Sequence, residues 1–289
     1  MFRKLTPYIF LCPAILIIGT FVLLPMASAL VISFSDYNMI EAHRFVGLDQ
    51  YRRLLKDPFF WNALGNSLLY LAVVVPVLSF APIFLAALVN RKLPGIAVFR
   101  GIYYLPVVTS LVVTGLMWKW VYEENGALNF ILRNLGLVDD PIAWLATPSV
   151  SLFAVMAVTV WSGMGFYMVI YLAGLQSIPK ALYEAAELQG VSRIRQTLFI
   201  TIPMLRPYIA LVAVISSIAA MKIFDEVFIM TRGGPLGQTE TLVFFVYQNA
   251  FVEFDMGYAS AAGIALFVAT FVLSILNLRL TRDAGYAKR

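Results

Sequence analysis

One cysteine, Cys12, and one histidine, His43, occur in 289 residues. A lone cysteine forms no intramolecular disulfide and builds no cysteine metal cage, and a lone histidine removes His-based zinc sites and Ser-His-Asp chemistry. The dipeptide Gly-Lys is absent, so no Walker A phosphate loop exists. Charge is scarce as well: 13% of residues are Asp, Glu, Lys or Arg, about half the share of a soluble domain.

What is abundant is apolar. Hydrophobic residues make up 61% of the chain and mean hydropathy is +0.84. The excess falls into long runs, each near or above the ~20 residues that a helix needs to span a bilayer. Six spans are expected, over Pro7–Phe34, Ser67–Val89, Ile102–Val121, Val150–Leu175, Tyr208–Met230 and Tyr258–Leu278. The runs lack two-residue alternation and exceed the ~9–11 residues of a barrel strand, so the expected fold class is an all-α membrane protein. Ala27-Ser28-Ala29 resembles a signal cleavage site, but the first run is longer than a signal h-region of about 7–15 residues, and the expectation is a retained span. Prolines 13, 25, 76, 82 and 106 fall inside spans and are expected to kink them.

Orientation follows from charge. With the N-terminus inside, most of the 21 Lys and Arg residues lie on the inner side, in the segments around Arg3, Arg91–Arg100, Lys180–Arg206 and Arg279–Arg289. Of the 16 acidic residues only Glu184, Glu187 and Asp283 lie inside. Both termini are then cytoplasmic, and the net charge of +5 reflects topology rather than nucleic-acid binding.

One inner loop, at about residues 176–207, is polar and helix-forming. Pro179 suits a first helical turn, Lys180–Gln189 are mostly good helix formers, and Gly190 suits a left-handed C-terminal cap. Ser192 can cap a second short helix, and Pro203 is expected to turn Ile202 out of helical geometry. Leu182, Ala185, Ala186 and Gln189 form one face whose small centre lets another surface approach. A helix resting on the inner leaflet is the competing reading. Such helices carry Lys, Arg and bulky apolar residues, whereas this one carries Glu184, Glu187 and alanines, which favours docking into a partner.

Glu184-Ala185-Ala186, then Gly190, then Ile200-Thr201-Ile202-Pro203 resembles the EAA loop of binding-protein-dependent ABC importers. Ile202 stands where the family has leucine, and Gln189 where it usually has aspartate. The stretches Phe45–Tyr70 and Phe224–Phe251, the latter with Thr231-x-Gly-Gly-Pro235, are similar to the first of two non-identical carbohydrate permeases of the maltose and glycerol-phosphate type.

The resemblance implies a type I ABC importer permease fold: a first helix plus outer loop at 1–60, and a five-helix core at 61–289. It implies a bacterial or archaeal cell membrane and four kinds of partner: a second permease, two cytoplasmic ATPases, an extracytoplasmic solute-binding protein and membrane lipid. ATP and Mg would be bound by the ATPases, with no cofactor and no catalysis in this chain. It also assigns ATPase coupling to Glu184, Ala185, Ala186 and Gly190.

Intramembrane polar residues are costly and mark pathways. Aromatic faces with nearby hydroxyls suit a sugar, so Thr159, Trp161, Ser162, Phe166, Tyr167, Ser216 and Ser217 are candidates for the path. The resemblance places Ala220 and Ile223 on it too, where the maltose permease has asparagines. Hydroxyls in spans also bond their own helix, which is the plainer reading. Lys222, Asp225 and Glu226 are spaced to form a structural or gate-lining ion pair. The glycines of Ser162–Met168 suggest a close helix crossing. Asn62, Asn66 and Ser67 are expected to cap the second span. A non-sugar ABC permease is the alternative function. A stand-alone secondary transporter would need its own mid-membrane coupling carboxylates.

Overall fold

A computed structural model describes residues 2–38, 44–91 and 93–285. His43, Lys92, Lys288 and Arg289 lie outside the described residues. The helices are α1 (Phe2–Ile18), α2 (Leu24–Ile32), α3 (Asp49–Lys56), α4 (Pro58–Val89), α5 (Ile96–Val108), α6 (Leu111–Val121) and α7 (Ala127–Asn134). They continue with α8 (Pro148–Ser177), α9 (Lys180–Leu188), α10 (Arg193–Gln196), α11 (Ile202–Met221), α12 (Asp225–Met230), α13 (Leu242–Phe251) and α14 (Met256–Gly285). A two-residue antiparallel ladder, β1 (Ser35–Asp36) with β2 (Arg44–Phe45), follows α2.

Among the described residues, five helical stretches are long and apolar enough to span a membrane, and α5 with α6 makes a sixth if that pair is one span. The pair is bent by 99°. Helix α5 ends two residues after Pro106, and the Thr109 hydroxyl bonds back to the Leu105 carbonyl at 2.9 Å. Helix α4 runs unbroken through Pro76 and Pro82.

Two other prolines are absorbed by wider turns. The segments Gly19–Leu23 and Thr197–Thr201 are π-helical, and each sits just before a proline, Pro25 and Pro203. A proline lacks the N–H for its i−4 carbonyl and its ring crowds that oxygen. An i→i−5 turn relieves the crowding, as in Leu24 N–H to Gly19 O and Ile202 N–H to Thr197 O. Ile202 therefore stays helical (φ −61°, ψ −47°), against the expectation that Pro203 would displace it.

Packing divides the chain into two units. One takes the residues up to Trp61 together with Phe245–Val268. There the Arg53 guanidinium lies 4.0 Å from the centre of the Tyr258 ring and pairs with Asp255, while the Tyr258 hydroxyl donates to Asp57. The first span leaves its most apolar stretch unburied against the rest of the described chain.

The other unit takes Asn62–Phe244 and the chain from Ala269. Its core packs α8 against α5 and α11, and α12 against α6 and α8. Tyr70, Val74, Val155, Val158, Met168, Tyr171, Val212 and Val227 are buried in it. The glycines of α8 permit this closeness. A Cβ on Gly165 would collide with the Tyr103 carbonyl oxygen and lie 3.1 Å from Tyr104 Cα, so α8 and α5 touch backbone to backbone. The expected crossing is there.

Candidate functional site

The elbow at residues 180–196 is built as two short helices joined at a glycine. Helix α9 opens after Pro179, which sits one position before the helix in extended conformation (φ −61°, ψ 128°) rather than within its first turn. It closes in a Schellman motif: Gly190 N–H donates to Glu187 O at 2.9 Å and Val191 N–H to Ala186 O at 3.0 Å. Gly190 has φ +69°, the left-handed conformation that a side chain disfavours. Ser192 occupies the cap of α10 without a side-chain cap bond; instead Gln196 Nε2 donates to Val191 O at 3.0 Å.

The faces of α9 divide differently from the expectation. Ala186 is turned inward and buried, and Tyr183 and Thr201 share a 2.8 Å hydroxyl bond that ties α9 to the following helix. Leu182, Ala185 and Gln189 are exposed, and Leu188 is 91% exposed. Glu184 and Glu187 are exposed and make no ion pair among the described residues. An apolar, carboxylate-bearing ridge thus projects from an anchored base.

The second feature is a cavity of about 490 Å³ where the fifth span breaks. Helix α11 ends at Met221 and α12 starts at Asp225. The free Ile223 carbonyl between them accepts a 3.0 Å bond from the buried Thr241 hydroxyl. Among the expected path residues, Thr159, Ser162, Tyr167, Ser216, Ala220 and Ile223 line the cavity, together with Lys222, Asp225 and Glu226. Trp161, Phe166 and Ser217 do not. Trp161 stands edge-on to Trp118 at 5.5 Å, and Phe166 edge-on to Tyr167 at 5.2 Å.

The plainer reading of the serines holds in part. Ser162, Ser216 and Ser217 each bond a carbonyl of their own helix. The Lys222 ion pair does not form, since none of the described residues pairs with Lys222. Spacing of three or four residues brings side chains together only on a continuous helix, and the break at residues 222–224 removes it.

A third feature is absent from the sequence reading. Helix α4 is 32 residues long, ~48 Å, against a ~30 Å hydrocarbon core, so Asn62, Asn66 and Ser67 lie within it rather than capping it. They clamp the Thr231–Thr241 loop. Asn62 and Asn66 donate to Gly237 O at 2.8 and 3.0 Å, Asn66 also to Glu240 O at 2.9 Å, and Leu242 N–H donates to Ser67 Oγ at 2.9 Å. Inside the loop, Thr239 donates to Gly234 O and shares a hydrogen bond with Thr231, both at 2.7 Å. The i, i+4, i+5 spacing of three small polar residues was the available signal.

A family model described as the binding-protein-dependent transport system inner membrane component matches residues 55–285. The chain belongs to this family. This permease is 35% identical over 271 residues to a probable ABC transporter permease protein of Pyrococcus horikoshii, covering 92% of the one and 93% of the other. It is 34% identical to the lactose transport system permease protein LacF of Rhizobium radiobacter, covering 96% of this permease and 94% of LacF. Its fold matches a chain in the crystal structure of a bacterial alginate ABC transporter in complex with an alginate pentasaccharide-bound periplasmic protein. The TM-score is 0.85 at 24% identity, covering 97% of this permease and 95% of that chain. The all-helical architecture is therefore the type I ABC importer permease fold, and this permease is the transport subunit of such a system rather than an enzyme.

Proposed function

We propose that this permease forms, with a second permease, the path for a saccharide delivered by an extracytoplasmic solute-binding protein. Two cytoplasmic ATPase subunits bind ATP and Mg and drive the cycle through the α9 elbow. Both chain termini are cytoplasmic under this reading. One observation carries it: a cavity at a broken span, with hydroxyl and charged side chains set in a mainly apolar lining, stands in the same chain as an anchored, projecting helix. Broken helices at membrane depth line solute sites, and a rigid ridge can transmit a partner's motion. The name of LacF supports a saccharide. Glu184, Ala185 and Gly190 shape the docking surface, and Ala186 seats it from beneath.

The test is reconstitution of this chain, the second permease, the ATPases and the binding protein in proteoliposomes, with radiolabelled lactose, maltotriose and arabinotriose as probes. The expected result is accumulation of at least one saccharide that requires ATP, the ATPases and the binding protein together. Accumulation by this chain alone, or by the assembly without ATP, would contradict it.

A further inference from the structure

The cavity at the helix break holds charge that a path for polyols does not by itself require. Glu226 is 4% exposed, inside a spanning segment. The Thr159 hydroxyl donates to Glu226 Oε1 at 3.0 Å. A hydroxyl has one hydrogen to give, so in the Tyr70–Thr159 hydrogen bond Tyr70 is the donor. Two spans, α4 and α8, thus hold the Glu226 carboxylate from behind. Asp225 lines the same cavity, and Lys222 is the only lining cation among the described residues, paired with neither carboxylate. The lining charge is one cation against two acidic groups.

A carboxylate offers acceptors and no hydrogen. It can take hydrogen bonds from sugar hydroxyls. A uronate or phosphate group would bring more acceptors and another negative charge into a poorly screened site, where like charges repel strongly. The volume of about 490 Å³ is of the size that encloses a small ligand.

We propose that Glu226 is the specificity-determining residue of this cavity, admitting uncharged saccharides and rejecting those that carry carboxylate or phosphate groups. The proposal rests on the saccharide-path reading above and adds the charge class of the substrate. It also assigns Glu226 a role distinct from knitting α4, α8 and α12 together, since a merely structural carboxylate would not set a preference between neutral and acidic sugars.

The experiment uses the assembled transporter in nanodiscs without binding protein, so that selection by the delivering protein does not enter. Saturation-transfer NMR reads contact with maltotriose and with trigalacturonate at equal concentration. The wild type is expected to favour maltotriose by about fivefold or more. Glu226→Gln is expected to raise the trigalacturonate signal about threefold or more, while Glu226→Asp, which keeps the charge, retains the exclusion. Equal signals in the wild type, or a ratio unmoved by Glu226→Gln, would overturn the proposal and leave the saccharide path standing. Absence of contact with either saccharide would overturn both.

Discussion

Glu184→Lys is expected to cut solute uptake and binding-protein-stimulated ATP hydrolysis by about 100-fold while the chain still inserts in the membrane. Disrupting one partner of a close charge pair at an interface costs about 2–5 kcal/mol, and 1.4 kcal/mol is tenfold in affinity. Glu184 is exposed on α9 and unpaired among the described residues, so its reversal disturbs nothing within the chain. Gly190→Pro should give the same phenotype by a different route. Proline cannot adopt φ +69°, and it deletes the Gly190 N–H that bonds Glu187 O. The checks are proteoliposome uptake, ATPase rate and membrane fractionation. Near-normal coupling in both variants would remove α9 from the drive train.

Gly165→Ala is expected to destabilise the permease by about 3 kcal/mol, the upper end of the usual cost of overpacking. The new Cβ meets only backbone: the Tyr103 carbonyl, whose carbon lies 2.9 Å away, and Tyr104 Cα at 3.1 Å. No rotamer change relieves it, so α5 and α8 must separate. Gly163→Ala is the control, with its nearest contacts at 3.3–3.4 Å to the Tyr167 and Leu78 side chains, which can yield. Its expected cost is below about 1 kcal/mol. Denaturation in detergent reads both. A Gly165→Ala protein as stable as the wild type would contradict the close crossing.

Gly190 and Gly165 show what the chain discloses before folding. A bilayer forces backbone groups into long helices, so the spans were visible as apolar runs. Gly190 was legible because a left-handed cap leaves few other choices, and the glycines of α8 because close crossings need small residues. Local rules failed where tertiary contacts overrode them. Asn62 and Asn66 read as caps, but their amides face carbonyls some 170 residues away, which no local pattern encodes. The Lys222 pair assumed a continuous helix, and the break is held by Thr241 at the end of the loop that follows α12. Ile202 remained helical because a π-turn one step earlier took up the strain of Pro203. Tyr70, the donor behind Glu226, was hidden as one aromatic in an apolar run.

The most direct test of the drive mechanism is a cross-link from the elbow. Leu188 is 91% exposed on α9, and Cys12, the only cysteine in the sequence, can be replaced by serine. In the assembled transporter, Leu188→Cys labelled with a maleimide–benzophenone reagent should on illumination join this permease to an ATPase subunit, with a yield that changes on adding ATP. Adducts to the solute-binding protein, or none to the ATPase, would contradict the account.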